Sequence, residues 1–327
     1  MRRTSNIDSA RPDGPEGGLV LTASARDLRT GPDGTASVVG EAALRARTDG
    51  RSRLCLLSTH PEMPAAQELM GVVVGPGFRG RVADSGEGGP EAGSLLYLLL
   101  DDLPGAALVS GYAVQRAGGF EEDGPRVMPA PAVSRARATL ATMGDDRCAG
   151  WAHDATMMVT IRERGVVPVS QGPPAPALER SDDPLSWHSM DPLPHHGMRR
   201  RRRLDVTAPA GPGEPYRIDA HFRDSHVDDD GTESVLHEYA LSATVDHRGE
   251  RVIELEAEAR VLPWMECPQA VASASRVAGM AVGELRTRVR RELVGRSTCT
   301  HLNDTLRSLD DLSVLIAELR DGSGKGR

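Results

Sequence analysis

The chain contains a single lysine, Lys325, in the glycine-rich tail GSGKGR. That shortage removes several mechanisms at once: there is no phosphate-loop lysine, no Schiff-base lysine and no kinase-type lysine. Aromatic residues make up only 3% of the 327 residues, too few for base-stacking platforms. The net charge of −8 gives no global basic field for nucleic acid. Four cysteines, Cys55, Cys148, Cys267 and Cys299, are too few and too widely spaced for a disulfide scaffold. The longest purely apolar run, around Leu95 to Leu100, is too short to span a bilayer. The opening MRRTSNIDSARPDGPEGG has no apolar core of the kind a secretory signal needs. Together these absences predict a soluble cytoplasmic protein with reduced thiols, with no nucleic-acid partner and no membrane partner. Positive charge is carried almost wholly by arginine, alongside much alanine, glycine and proline, which reads as coding bias and not as function.

What the chain does have is one segment twice. Residues 26–49, RDLRTGPDGTASVVGEAALRARTD, align without a gap to 223–246, RDSHVDDDGTESVLHEYALSATVD, with 12 of 24 positions identical. The shared positions include Asp27/Asp224, Gly34/Gly231, Ser37/Ser234, Glu41/Glu238 and Asp49/Asp246. GVVVGPGFRGRV (71–82) echoes GMAVGELRTRV (279–289), and LLYLLLDDL (95–103) echoes NDTLRSLDDL (303–312). The copies differ where chemistry would sit. His237 faces Gly40 in the alignment, and the first copy has no counterpart of Cys267 or of Cys299-Thr300-His301.

Five regions follow: a disordered N-terminus (1–16), a degenerate first copy (17–114), a Pro/Gly-rich connector (115–197), a second copy (198–319) and a disordered tail (320–327). In the first copy, LVLTASA, SVVGEAALRAR and SRLCLLST alternate apolar and polar residues between turn signals and read as strands. Helices are expected from near Pro61 and over Ser94 to Leu103. In the second copy, YRIDAHF, SVLHEYALSATVD and ERVIELEAEARV read as strands. Helices are expected near Pro268–Met280, near Val282–Leu293 and over Thr300–Leu319, the last with a leucine stripe at three- and four-residue steps. Strands followed by helices in each unit predict an α+β fold, the two modules packed as a pseudo-two-fold pair. Within the connector, MMVTI (157–161) reads as a buried strand, and PVSQGPPAPALERSDDP as an extended wrapping segment.

The candidate chemistry lies in the second copy. Cys299 falls at the expected N-terminus of the last helix, where free N–H groups and the dipole favour a thiolate, with Thr298 or Thr300 as N-cap. His301 is in the first turn, Cys267 lies where a strand gives way to a helix, and His237 sits in a strand beside Glu238. Cys267, Cys299, His301 and His237 form a candidate metal set, with zinc the matching ion. Cys299, His301, Glu238 and Asp224 are the candidate catalytic groups. The competing reading makes the cysteines buried small apolar residues and the histidines satisfied structural ones. Asp224 and Glu238 have twins in Asp27 and Glu41, which favours turn or packing duties for both. The Cys148–Asp154 segment reads as a packed connector, and His195 and His196 as solvated. The arginine run Arg199–Arg203 suits a phosphate-bearing ligand such as a coenzyme A ester, or a solvated edge.

The second copy also resembles a bacterial family catalogued as a domain of unknown function, number 2889, over roughly residues 198–315. The resemblance rests on arginines before a strand, Asp224 closing the next, Leu236-His237-Glu238, the Cys267-Pro268 element, Val277-x-Gly279 and Cys299-Thr300-His301-Leu302. Glu238 stands where the family pattern has Asp, and Thr298 where it has Gly. The length and connector resemble long members of actinobacterial type. The resemblance implies grouping and no activity. Two functional readings stay open: an enzyme acting on a small-molecule ligand through a Cys/His site, and a non-catalytic binding or assembly protein.

Overall fold

The fold rests on one sheet whose two central strands come from opposite halves of the chain. The computed structural model describes residues 1–15, 17–117, 120–121, 124–125, 145–164 and 168–323. The first half supplies β1 (Arg2–Ala10), β2 (Val20–Thr30), β3 (Ala36–Thr48) and β4 (Leu54–His60). A short ribbon, β5 (Phe120–Glu121) and β6 (Gly124–Pro125), stands apart. The second half supplies β7 (Met198–Thr207), β8 (Tyr216–Val227), β9 (Glu233–Val245) and β10 (Val252–Val261). The eight-stranded order is β10-β9-β8-β7-β1-β2-β3-β4, antiparallel at every pairing.

The two repeated segments make like hairpins. The turns between β2 and β3 and between β8 and β9 each place a glycine at φ +82°, Gly34 and Gly231, where a side chain would be strained. Each hairpin also has a register shift at the same point, after Asp27 in one and after Asp224 in the other. Such irregularities re-aim side chains and accumulate beside functional positions.

Helices cover one face. They are α1 (Phe78–Ala83), α2 (Leu95–Val109), α3 (Gly111–Ala117), α4 (Thr156–Arg164), α5 (Leu285–Glu292), α6 (Thr300–Ser308) and α7 (Leu312–Ser323). Ser94 caps α2 by accepting from the Tyr97 N–H. Two apolar cores lie between helices and sheet. One gathers Leu21, Leu44, Phe78, Leu99 and Leu103, the other Phe222, Tyr239, Leu285, Leu302, Leu306 and Leu312. The stretch Leu95–Arg116 is long and apolar enough to cross a membrane, but 72% of its most apolar window is buried inside the protein.

Several expectations are corrected. Residues 2–10 are a central strand and not a disordered leader, although its residues carry no apolar alternation. Thr4, Ser5, Asn6 and Ser9 are buried there, and neighbouring side chains satisfy Thr4 and Asn6: His188 bonds Thr4 Oγ1 and Asn6 Oδ1, both at 2.8 Å. MMVTI is helical, within α4, and buries Met157, Met158 and Ile161 on one side. The helix expected from Pro61 is a 3₁₀ segment, Pro64–Leu69, as is most of Pro268–Met280, formed as Cys267–Val277. The last helix is interrupted by a 3₁₀ turn, Leu309–Asp311, and then runs to Ser323, past the expected start of the tail; residues 324–327 lie outside the described ones.

Buried arginine–aspartate pairs tie the helices to the central strands. On the helix-facing side Arg3 holds Asp27 through two hydrogen bonds, at 2.8 and 2.7 Å, and reaches Asp311 at 2.9 Å. Arg200 holds Asp224 at 2.9 and 3.0 Å and reaches Asp304 at 3.3 Å. Asp102 of α2 takes Arg202 from β7, and Asp101 takes Arg286 and Arg307 from the second half. Removing one partner of a buried pair leaves the other charge unsolvated. Asp102→Asn should therefore lower the unfolding free energy by about 3–5 kcal/mol in urea titration, whereas the double replacement Asp102→Leu/Arg202→Met should regain most of that loss. A single variant as stable as wild type would show that the pair across the halves is dispensable.

Candidate functional site

Asp224, His237 and His301 meet at the inner face of the second half. Asp224 and His237 are direct cross-strand partners on β8 and β9, so both point toward the helices. His301 enters from the first turn of α6 and stacks on His237, with ring centroids 3.6 Å apart and planes 21° from parallel. Asp224 Oδ2 lies 3.6 Å from His237 Nδ1 and 3.7 Å from His301 Nε2, and one ligand atom from each residue falls within 4.8 Å of the others. His237 Nδ1 has no hydrogen-bond partner, and His301 keeps 17% of its side chain exposed.

Electrostatics leaves this trio as one anion and two neutral rings. Burial pushes the Asp224 carboxyl up, but the charge of Arg200, the nearby His237 and the Arg200 hydrogen bonds outweigh it and hold the group ionised, well below the usual range. Burial pushes His237 down against the pull of Asp224. His301 is pushed further down, by burial and then by the facing His237. Neutral imidazoles beside a carboxylate are the form that binds a metal ion.

The first half carries the same arginine–aspartate pair without the rings. A Cβ on Gly40 would sit 3.4 Å from Leu95 Cδ1 and 4.0 Å from Asp27 Oδ2. Where the second half stacks two imidazoles over its aspartate, the first packs a leucine. Asp27 and Asp224 share a structural duty, holding a central-strand arginine, and not the turn duty expected of them.

Glu238 departs from the expected site. It follows His237 in a strand, and successive strand residues point to opposite faces. Its carboxylate lies on the outer face, 2.9 Å from His221 Nε2 and 3.0 Å from Arg223 Nε. Burial raises it, and the bonds from His221 and Arg223 overcome this and bring it to about 2.

The cysteines gather elsewhere. Cys267 and Cys299 join Cys148 around Tyr239, whose hydroxyl is buried without a well-formed hydrogen bond. Ala149 N–H donates to Thr298 O at 2.9 Å, and a Cβ on Gly150 would come within 2.9 Å of Cys267 Sγ. The expected ligand set is thus divided: among the described residues, the metal-sized group of donor atoms contains no cysteine. Cys299 is itself the N-cap residue of α6, in place of Thr298 or Thr300, and makes no side-chain cap bond. The expectation of a thiolate there is corrected, because burial keeps Cys299 protonated against the nearby Tyr239, Leu302 and His301 donors. Burial, then the neighbouring thiols, push Cys148 to about 11 and Cys267 to about 12. Cys148 and Tyr239 were not legible as members of this group, since nothing in their spacing points to it. His195 and His196 lie beside the β8–β9 turn, with His195 Nδ1 3.1 Å from Asp228 O and His196 Nε2 2.7 Å from Asp229 Oδ1.

Residues 198–315 match the model of a family described as a protein of unknown function (DUF2889). That span starts at the first residue of β7 and includes Arg200, Asp224, His237 and His301. No curated protein and no solved structure matches the chain.

Two measurements check this site's electrostatics and those of the strand opposite. A thiol-reactive probe should label only the exposed Cys55 in the native protein and all four cysteines in denaturant; rapid labelling of Cys299 would show a thiolate. His188, buried against β1, is pushed down to about 4 by burial and by Arg26 and Arg199. Its folded pKa is depressed, so its contribution is complete above the ordinary value of 6.5 and is lost as pH falls toward 4. Unfolding stability should drop there by about 1.4 kcal/mol per pH unit from this residue, and His188→Gln should remove that part of the slope. An unchanged slope in the variant would contradict the assignment.

Proposed function

We propose that the second half carries a divalent transition-metal site formed by Asp224, His237 and His301, and that the protein is an enzyme using it on a small organic substrate. The observation that carries this reading is the convergence of two neutral imidazoles and one ionised carboxylate within 4.8 Å. Two nitrogens and one oxygen suit zinc or iron(II), and three protein ligands leave coordination positions for water or substrate. Arg200, bonded to both Asp224 oxygens, would orient the carboxylate as a neighbour of the metal ligands. A bound metal would supply an acidified water or polarise a substrate oxygen. The exposed edge of His301 marks the side from which substrate would approach.

A second reading has one specific observation behind it. Both Asp224 oxygens already bond Arg200, so the imidazole stack would serve as a structural clasp in a non-catalytic binding or assembly protein. On either reading we take the halves as a pseudo-two-fold pair, with the approximate axis between β1 and β7. The mirrored strand order, the matching register shifts and the Arg3–Asp27 and Arg200–Asp224 pairs support it. A cytoplasmic location accords with four cysteines that are all free.

Metal content separates the readings. Protein purified without chelators, or reloaded with zinc(II), iron(II) or manganese(II), should hold close to one metal per chain. His237→Gly, which installs the residue of the first half, and His301→Ala should each lower metal affinity by at least about 10–100-fold. Glu238→Gln, on the opposite face, should retain the metal. A wild-type protein that takes up none of the three ions would leave the clasp reading standing.

A further inference from the structure

The arginine run alternates faces as a strand must. Arg200 and Arg202 turn inward to Asp224 and Asp102, while Arg199, Arg201 and Arg203 turn outward. On that outer face one cross-strand row holds His221, Arg203, Thr4 and Arg26, and the next holds Arg223, Arg201 and Asn6. Residues 168–196 run over this floor as an extended strap. Its carbonyls accept from the arginines: Pro176 O from Arg223 at 2.7 Å, Leu185 O from Arg26 at 2.7 Å. Trp187 of the strap lies 5.9 Å from the guanidinium carbons of both Arg201 and Arg203, and its ring meets His221 edge-on at 6.1 Å.

The floor holds more positive charge and more donors than the strap satisfies. Arg26 Nε, Arg201 Nε, Trp187 Nε1 and His221 Nδ1 are buried with no hydrogen-bond partner, and none of these residues is more than 7% exposed. His221 donates its Nε2–H to Glu238, so its Nδ1 is a lone pair and the N–H groups left over are those of Arg26, Arg201 and Trp187. Orphaned buried N–H groups are rare in folded proteins, and those of Arg201 and Trp187, whose guanidinium and ring lie 5.9 Å apart, are a signature of a missing acceptor. The charge count agrees. Arg199 is matched by Asp8 and Arg223 by Glu238. Arg201 has Glu179 at 3.0 Å, which is 58% exposed on the strap, and Glu233 only at 4.0 Å. Arg26 has no carboxylate within ion-pair distance among the described residues, and its partner is a carbonyl. Burial, with Arg199 and Arg223 nearby, leaves Arg201 below the ordinary arginine range.

We propose that the outer face beneath Trp187 binds a small oxyanion, the phosphate or carboxylate group of a metabolite, at Arg201, in competition with Glu179 of the strap. The oxyanion would accept from the unpartnered guanidinium and indole N–H groups, which are charge-assisted or buried donors suited to it. This site is on the opposite face of the sheet from Asp224, His237 and His301. It stands or falls independently of the metal.

Calorimetric titration of the full chain with inorganic phosphate, and separately with succinate, tests it. Saturable binding of either is expected, and the tighter of the two identifies the group. Arg201→Gln should weaken it about tenfold or more, the loss of one charged hydrogen-bonding partner. Glu179→Gln, at a strap residue 58% exposed, should tighten binding by removing the competing carboxylate. If Arg201→Gln fails to fold, the Glu179→Gln comparison alone decides. Absence of saturable binding by wild type and Glu179→Gln, or affinity unchanged in Arg201→Gln, would overturn the proposal.

Discussion

Everything in this fold hangs on guanidinium groups buried between the sheet and its helices. Arg3 and Arg200 project from the two central strands, each clamped by an aspartate on the next strand, Asp27 or Asp224. Each then reaches a carboxylate at the helices, Asp311 or Asp304. The aspartates of α2 in turn take arginines from the second half. Desolvating such charges is costly, so the lattice stabilises only while each member keeps its partner. The two halves therefore cannot be treated as independent domains joined by a tether. The outer face repeats the device less completely, with a strap supplying carbonyls where carboxylates are short.

That shared frame explains why chemistry can differ between halves without a change of fold. The hairpins, their glycine turns and their register shifts are held in common. At the one place where the second half sets His237 against Asp224, the first has Gly40, with Leu95 filling the space. Apolar packing suffices for stability there. A pair of imidazoles held neutral against a carboxylate goes beyond it, and this difference is the basis for assigning function to the second half.

Much of this was legible in the sequence. The repeated segments located β2, β3, β8 and β9, because alternation and turn glycines report a half-buried hairpin directly. The leucine stripe located α6 and α7, although Asp311, drawn to Arg3 and Arg286, sits in a break that a stripe cannot reveal. β1 was illegible, because polar residues satisfied by distant partners leave no apolar period. MMVTI was misread because four or five apolar residues fit a helix face as well as a strand. At the site, His237 and His301 were found from their absence in the first half. Glu238 was misplaced although strand alternation alone sets it opposite His237. The cysteines were misjudged because a helix N-terminus favours a thiolate only where water or charge offsets burial, and Cys299 is buried.

The most direct test of the central claim is anomalous diffraction at a metal absorption edge from crystals grown with zinc(II) or manganese(II). The account predicts one strong peak within bonding reach of Asp224, His237 and His301, with Arg200 still bonded to the carboxylate. Metal-soaked crystals with no peak there, and with the two imidazoles still stacked over an Asp224 bound only by Arg200, would contradict it.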